Sequence, residues 1–229
     1  MESITFSPLG DQGLIVDFGE GMNLEKNRFI LKWRLTLEAH PFPGFIEAVP
    51  AYTTLTIFYD AVAVGTSFPY DTVKKAVKNI SFSIHHSVNH NKTVEIPVCY
   101  EEPFSLDLKI VAMHNKKTIQ EVIDIHCANI YHVYFLGFSP GFPFLGGMNK
   151  SLSTPRKNVP RLKIPRGSVG IAGGQTGIYP LESPGGWQII GRTPLQLFDV
   201  YADPPTLILP GDQVRFVSIN KEEFFALEE

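Results

Sequence analysis

Cysteine is nearly missing: the 229 residues hold two thiols and no C-x-x-C pair. That excludes a disulfide scaffold and argues against a structural zinc site. No run of about 18 apolar residues occurs, so no segment reads as membrane-spanning. Met1 to Thr5 shows no basic stretch leading into an apolar one, so no secretory signal is read. Neither sign of charge dominates, with 20 basic against 23 acidic side chains and a net charge of −3. This balance excludes a generally basic nucleic-acid binder and a polyanionic tail. G-x-x-x-x-G-K-[ST] is absent, Asn149-Lys150-Ser151 having only its tail, and so is G-x-S-x-G. No nucleophile and no general base is identifiable. Apolar residues make up 44% and charged ones 19%, enough to build a core. The expectation is a cytoplasmic protein of one large or two small domains that neither binds nucleic acid nor enters a membrane.

Punctuation is uneven along the chain. Between Gly137 and Gly211 lie 13 of the 19 glycines and 11 of the 18 prolines, too many for helices and suited to short strands joined by tight turns. The first 80 residues are more regular. Residues 4–8 and 13–18 read as strands, and Asn23 caps a helix over 24–39. Two β-rich stretches follow, Phe45 to Val49 and Thr53 to Tyr59. Asp71 then caps a second helix with Val73, Ala76, Val77 and Ile80 on its buried side. The expected fold class is therefore an α+β N-terminal domain over 1–80, helices on one face of an antiparallel sheet. A polar linker occupies 81–92, and a mainly-β barrel spans 93–229. His85, His86 and His90 fall in that linker without acidic neighbours, and a solvated linker is preferred over a metal cluster. Thr93 to Cys99 reads as a strand, and Thr118-Ile-Gln-Glu121 as a capping box. Ile119, Val122, Ile123, His126, Cys127 and Ile130 share one helical stripe, so Cys127 and His126 read as core groups rather than catalysts. From Tyr131 onward only strands and turns are expected, closing near Phe216.

The chemistry is carried by an absence of acids. From Ile125 to Leu181, 57 residues contain no Asp or Glu but hold Lys150, Arg156, Lys157, Arg161, Lys163 and Arg166. The window thus carries +6, and the remainder −9, of a total of −3. Such segregation favours anions. Arg156, Arg161 and Arg166 each follow a proline, and a fixed guanidinium fork grips carboxylate or phosphate. Gly173, Gly174, Gln175, Thr176 and Gly177 form a loop whose backbone and side chains can donate to an anion, and Trp187 in Pro184-Gly-Gly-Trp suits a cleft wall. A plain solvated basic face remains the competing reading. Phe138, Phe142 and Phe144 could serve as base-stacking platforms, which the acidic chain as a whole argues against.

Long motifs add a kinship. Gly137-Phe-x-Pro-Gly-Phe-Pro-Phe-Leu-Gly-Gly, Thr154-Pro-Arg, Pro160-Arg, Pro165-x-Gly-Ser-Val-Gly-Ile-Ala-Gly-Gly-Gln-Thr-Gly-Ile-Tyr-Pro, Pro184-Gly-Gly-Trp-Gln-Ile-Ile-Gly-Arg-Thr-Pro, Leu-Phe-Asp199 and Leu-Pro-Gly-Asp212 resemble the allophanate hydrolase subunit 1 family. Gly10-Asp11-x-x-Leu14-x-Val16-x-Phe18-Gly19 is similar to that family's opening. The resemblance implies a ferredoxin-like α+β domain followed by a cyclophilin-like barrel. It implies a PxpB-type component of an ATP-dependent 5-oxoprolinase, which opens 5-oxoproline to glutamate. Such a chain would share ATP with a PxpC-type partner, work with a PxpA-type subunit and be inactive alone. The alternative it carries is a regulatory inhibitor of a sensor histidine kinase, of the KipI type. Two positions depart from the family: His132 stands where arginine is frequent, and Phe144 where tyrosine is.

Overall fold

The computed structural model describes residues 4–80 and 92–228, so the three linker histidines lie outside the described residues. The chain forms two compact units, Met1–Asn89 and His90–Glu229.

In the first unit, β1 (Thr5–Pro8), β2 (Gly13–Asp17), β3 (Phe45–Pro50) and β4 (Thr54–Tyr59) form an antiparallel sheet in the order β1-β2-β4-β3. Alternate residues face inward, as a pleated strand requires: Leu14 and Val16 from β2, Leu55, Ile57 and Tyr59 from β4. They meet Ile30, Trp33 and Leu37 of α1 (Leu24–Ala39) and Val73 and Val77 of α3 (Pro69–Lys78) in one apolar cluster. Asn23 caps α1 as the sequence suggests, its Oδ1 accepting from Lys26 N at 2.7 Å. Asp71 does not cap α3; that helix starts at Pro69, and Asp71 lies in its first turn. A ring-fixed φ makes Pro69 a good first helical residue, which moves the start forward. The capping aspartate is instead Asp60, which accepts from Val62 N and Ala63 N at the head of a one-turn α2 (Ala61–Val64).

The second unit is a closed barrel. Its strands are β5 (Thr93–Cys99), β6 (Ile130–Leu136), β7 (Pro143–Gly146), β9 (Ser168–Ala172), β10 (Gln175–Ile178), β12 (Gln188–Arg192) and β13 (Gln213–Ile219). They run in the order β10-β7-β6-β13-β5-β12-β9. The β5–β13 pair is parallel, and its neighbours are antiparallel. The interior holds Ile96, Val98, Tyr131, Val133, Leu145, Val169, Ile171, Ile178, Ile190, Val214 and Phe216. Leu108 and Val111 of α4 (Leu108–His114) and Val122 of α5 (Ile119–Ala128) join this cluster, so a helical pair covers one opening.

A second layer lies outside the barrel wall. A ribbon of β8 (Arg161–Ile164) and β11 (Ser183–Gly185) packs there. Between ribbon and wall sit Phe142, Ile164, Ala172, Tyr179, Trp187 and Ile189. β9 is buried along its whole length for this reason: Val169 and Ile171 point into the barrel, and Ala172 points into the outer layer. Gly177 on β10 suits this close packing, because a Cβ would lie 3.0 Å from the buried Phe142 ring and 3.1 Å from the Pro143 carbonyl.

Two expectations are corrected, and one helix was not foreseen. The helical stripe is shorter than its period suggests, since Ile119 and Ile130 are exposed and only Val122 and His126 are buried on α5. Its first and last members lie at or beyond the helix ends, where the chain leaves the barrel mouth. Strands and turns are not all that follows Tyr131: a 3-10 turn spans Lys150–Leu152, and α6 (Lys221–Glu228) closes the chain. Phe224 of α6 stacks on Phe104 at 4.4 Å, which anchors that helix. Finally, α4 escapes periodicity because seven residues complete barely two turns.

Candidate functional site

The segment between the 3-10 turn and β8 is strapped across the end of the barrel. Thr154 bridges Gly173 in both directions, with N···O distances of 3.3 and 2.7 Å. Gln188 Nε2 donates to Pro155 O at 2.9 Å, and Lys157 N donates to Gly186 O at 2.7 Å. These bonds fix the backbone on either side of Arg156.

The Arg156 guanidinium lies over the Trp187 ring, 5.9 Å from its centroid, at a distance suited to a cation–π contact. With Phe138, Phe142, Phe144, Tyr179, Gly185 and Gly186 the two residues line a pocket of about 110 Å³. Its walls are ring edges and faces: Phe142 meets Tyr179 and Trp187 edge-on at 5.3 and 5.5 Å. Phe144, at the family's tyrosine position, stacks on Phe135 at 4.5 Å and also lines the pocket. Gly185 is required where it stands, because a Cβ there would lie 2.4 Å from the Tyr179 hydroxyl. Burial pushes the Tyr179 phenol up to about 12, despite a hydrogen bond with the Trp187 backbone and the nearby Arg156 and Arg161, so it stays protonated. Phe138 is 66% exposed and has a φ of 66°. Left-handed backbone costs a non-glycine residue about 1–2 kcal/mol.

The acid-free window does not leave six free cations. Asp107, from outside it, is 1% exposed and receives Arg161 in bidentate fashion at 2.7 and 2.8 Å. It also accepts from Lys157 Nζ at 3.2 Å and from Ile189 N at 2.8 Å. Burial alone would raise this carboxyl, and the bonds from Arg161, Ile189 N and Lys157 together outweigh it and hold it below its ordinary value. Asp107 therefore leaves α4 without a side-chain cap. Lys163 meets Glu182 at 3.2 Å. Among the described residues, Arg156 has no carboxylate within ion-pair distance.

The remaining residues singled out from sequence divide between places. Gly173 and Gly174 turn in open space beside the strap, and Gln175 begins β10 next to them. Arg166 lies in the turn that precedes β9, at the opposite end of that five-residue strand from the Gly173–Gly174 turn. Its carbonyl accepts from Arg192 Nε at 2.8 Å. Thr176 is fully buried, its hydroxyl 3.1 Å from His126 Nε2 and donating to Gly170 O. The structure thus gathers Arg156, Arg161, Trp187 and the Gly173–Gly174 turn at one end of the barrel, and separates Arg166 from them. Window charge hides Asp107 because the sequence places it 54 residues from Arg161. Phe138, Phe142 and Phe144, set aside in the sequence as nucleobase platforms, form the pocket walls.

His126 is a barrel-core group. It stacks on Phe216 at 4.4 Å, and its Nδ1 is 2.8 Å from the Tyr100 hydroxyl. Burial lowers it to about 3. The unfolded chain binds a proton at this side chain below about pH 6.5, while the folded chain does not. Stability contributed by neutral His126 is full above that pH and is lost as pH falls towards 3. We expect a His126→Leu variant to show a flatter decline over this range in urea denaturation followed at several pH values. The half-buried Cys127 thiol donates to the Tyr100 hydroxyl at 3.5 Å, and burial pushes it up, which disfavours the nucleophilic thiolate.

A larger groove of about 490 Å³ runs beside α4 and α5, near the end of β13. Its charged lining is Glu101, Glu102 and Lys109, and Lys109 is already 2.6 Å from Glu102. None of the anion-site residues named from sequence lies there. Among the described residues no three His, Cys, Asp or Glu side chains gather to hold a metal, and no helix is long and apolar enough to cross a membrane.

Known proteins share this architecture and sequence. The 5-oxoprolinase B component of Bacillus subtilis (strain 168) is 49% identical over 228 residues, covering 96% of this chain and 95% of that protein. Its counterpart in Escherichia coli O157:H7 is 38% identical over 209 residues, covering 91% and 93%. The crystal structure of TTHA0988 superposes with a TM-score of 0.80 at 37% identity, over 91% of this chain and 40% of that longer one. The family pattern described as carboxyltransferase domain, subdomain C and D, matches residues 4–208, which takes in the N-terminal sheet, the strap and nearly all of the barrel. The kinship read from the glycine-rich motifs therefore holds at the level of the whole chain, which belongs to the carboxyltransferase subdomain C and D family.

Proposed function

We propose that this chain is the B component of a 5-oxoprolinase, taking part in the ATP-driven opening of 5-oxoproline to glutamate. One observation carries the reading: 49% identity to a protein of that name, spread over almost the full length of both chains. A protein named as one component of an enzyme works among others. The finer assignment is a PxpC-type partner that completes the active site and shares ATP with it, and a PxpA-type subunit that finishes the ring opening in the cytoplasm. The side chains support a shared site. Cys127 and His126 are built into the barrel core, and the exposed strap offers a cation, Arg156, without an adjacent nucleophile. In this reading the first unit is a ferredoxin-like domain with β1 at its edge, and the second is a cyclophilin-like domain.

The test is reconstitution. The chain alone is expected to release no ADP, and mixing it with its C-type and A-type partners and ATP is expected to give ADP release that depends on 5-oxoproline. A fully assembled complex without that dependence removes the proposal.

A further inference from the structure

The pocket under Phe138 deepens this reading and rests on it. We propose that it is a binding site for a small flat-ring carboxylate of the size of 5-oxoproline, with Arg156 holding the carboxylate and Phe138 covering the ring, and that nucleotide binds elsewhere. Size comes first. A dry cavity of about 150 Å³ accepts benzene. About 110 Å³ with an open mouth accepts a five-membered ring and leaves no space for a purine with phosphates.

Chemistry points the same way. Phe142, Tyr179 and Trp187 are buried and present ring edges and faces, which suit a planar amide ring. The rim offers one guanidinium, free of carboxylates among the described residues, whose planar fork matches a carboxylate. The strap bonds at Thr154, Pro155 and Lys157 hold its backbone in place, so less freedom is lost on binding.

Phe138 is the informative outlier. The turn that presents it is closed by Gly137 N to Phe142 O at 3.1 Å and by Phe142 N to Ser139 O at 3.0 Å. Left-handed backbone is unfavourable for a phenylalanine, and an exposed ring gains little from folding. Contact with a guest accounts for the aromatic at this position, and its ring already meets Phe142 and Tyr179 edge-on at 5.4 and 6.3 Å.

The experiment is a calorimetric titration of the full chain with 5-oxoproline, with 2-pyrrolidinone (the same ring without the carboxylate) and with ADP. The Trp187 indole N–H signal is followed by NMR in parallel. 5-Oxoproline is expected to shift that signal and ADP to leave it unmoved. 2-Pyrrolidinone is expected to bind about tenfold or more weakly, as the loss of a charge-assisted bond implies. Arg156→Leu should weaken 5-oxoproline by a similar factor and leave 2-pyrrolidinone unchanged. Phe138→Gly should keep or raise the thermal midpoint while weakening 5-oxoproline, a combination that a purely structural role would not produce. The proposal is overturned if 5-oxoproline leaves Trp187 unmoved both in the chain alone and with its C-type partner, or if Arg156→Leu binds it equally well. Turnover by the assembled complex with an unchanged KM in Arg156→Leu overturns the pocket and leaves the activity standing. Specific ring-carboxylate binding in a complex that never turns over supports the pocket and removes the activity.

Discussion

Replacing Asp107 by alanine is expected to lower the unfolding free energy of the barrel unit by about 3–5 kcal/mol, read from urea denaturation. The substitution strands three donors at once. Arg161 and Lys157 lose their shared carboxylate in a half-buried site, and the buried Ile189 amide loses its acceptor. Removing one partner of such a group costs more than forming it gains, because the cations stay desolvated. Asp107→Asn keeps an acceptor for Ile189 and discards the charge, so its loss should be intermediate. The acid limb follows from the same geometry. Asp107 sits below its ordinary value in the folded chain, so the unfolded chain takes up that proton first, at about pH 4. The stabilisation is complete above that pH and fades as pH falls through the lower folded value. Asp107→Ala should flatten this limb as well as lower the plateau; an unchanged limb in the variant would show that other carboxylates carry it.

Phe142→Ala is expected to cost about 3–5 kcal/mol as well, for a different reason. The ring is 1% exposed and wedged between β10 and the ribbon, in edge contact with Phe138, Tyr179 and Trp187. Its removal leaves a cavity that a close-packed barrel wall cannot collapse around. Thermal unfolding of Phe142→Ala beside Phe138→Gly separates the two phenylalanines of one turn. The first should lose much of its midpoint, and the second none, because one fills the layer and the other stands at its surface. Equal losses would place Phe138 in the packing and deny it a role as a cover.

Much of the fold was legible residue by residue. Asn23 and the Thr118–Glu121 box announce their helices because a cap is a bond between near neighbours. The inward alternation of β2 and β4 follows from the pleat, and the glycine and proline crowding after Gly137 foretells short strands and turns. The failures are equally local in cause. Asp71 looks like a cap, but Pro69 starts the helix first. The seven-residue α4 has too few turns to display a period, and its natural cap, Asp107, is occupied elsewhere.

The site was legible only in part. Arg156 and Trp187 could be named from a charged strap and a glycine-flanked tryptophan, and they do meet. Counting charge across the window could not reveal that Lys157, Arg161 and Lys163 have partners, because Asp107 and Glu182 lie outside it.

The order of amino acids by itself determined the helix caps, the strand alternation, the family and the concentration of cations without acids. Closure of the sheet alone decided which of the window's cations meet a carboxylate among the described residues, which end of β9 each loop occupies, and that three phenylalanines and a tryptophan surround one small space. Caps and pleats depend on neighbours a few residues apart. Ion pairing and enclosure depend on distances through space, which a chain acquires only when residues 54 apart are folded into contact.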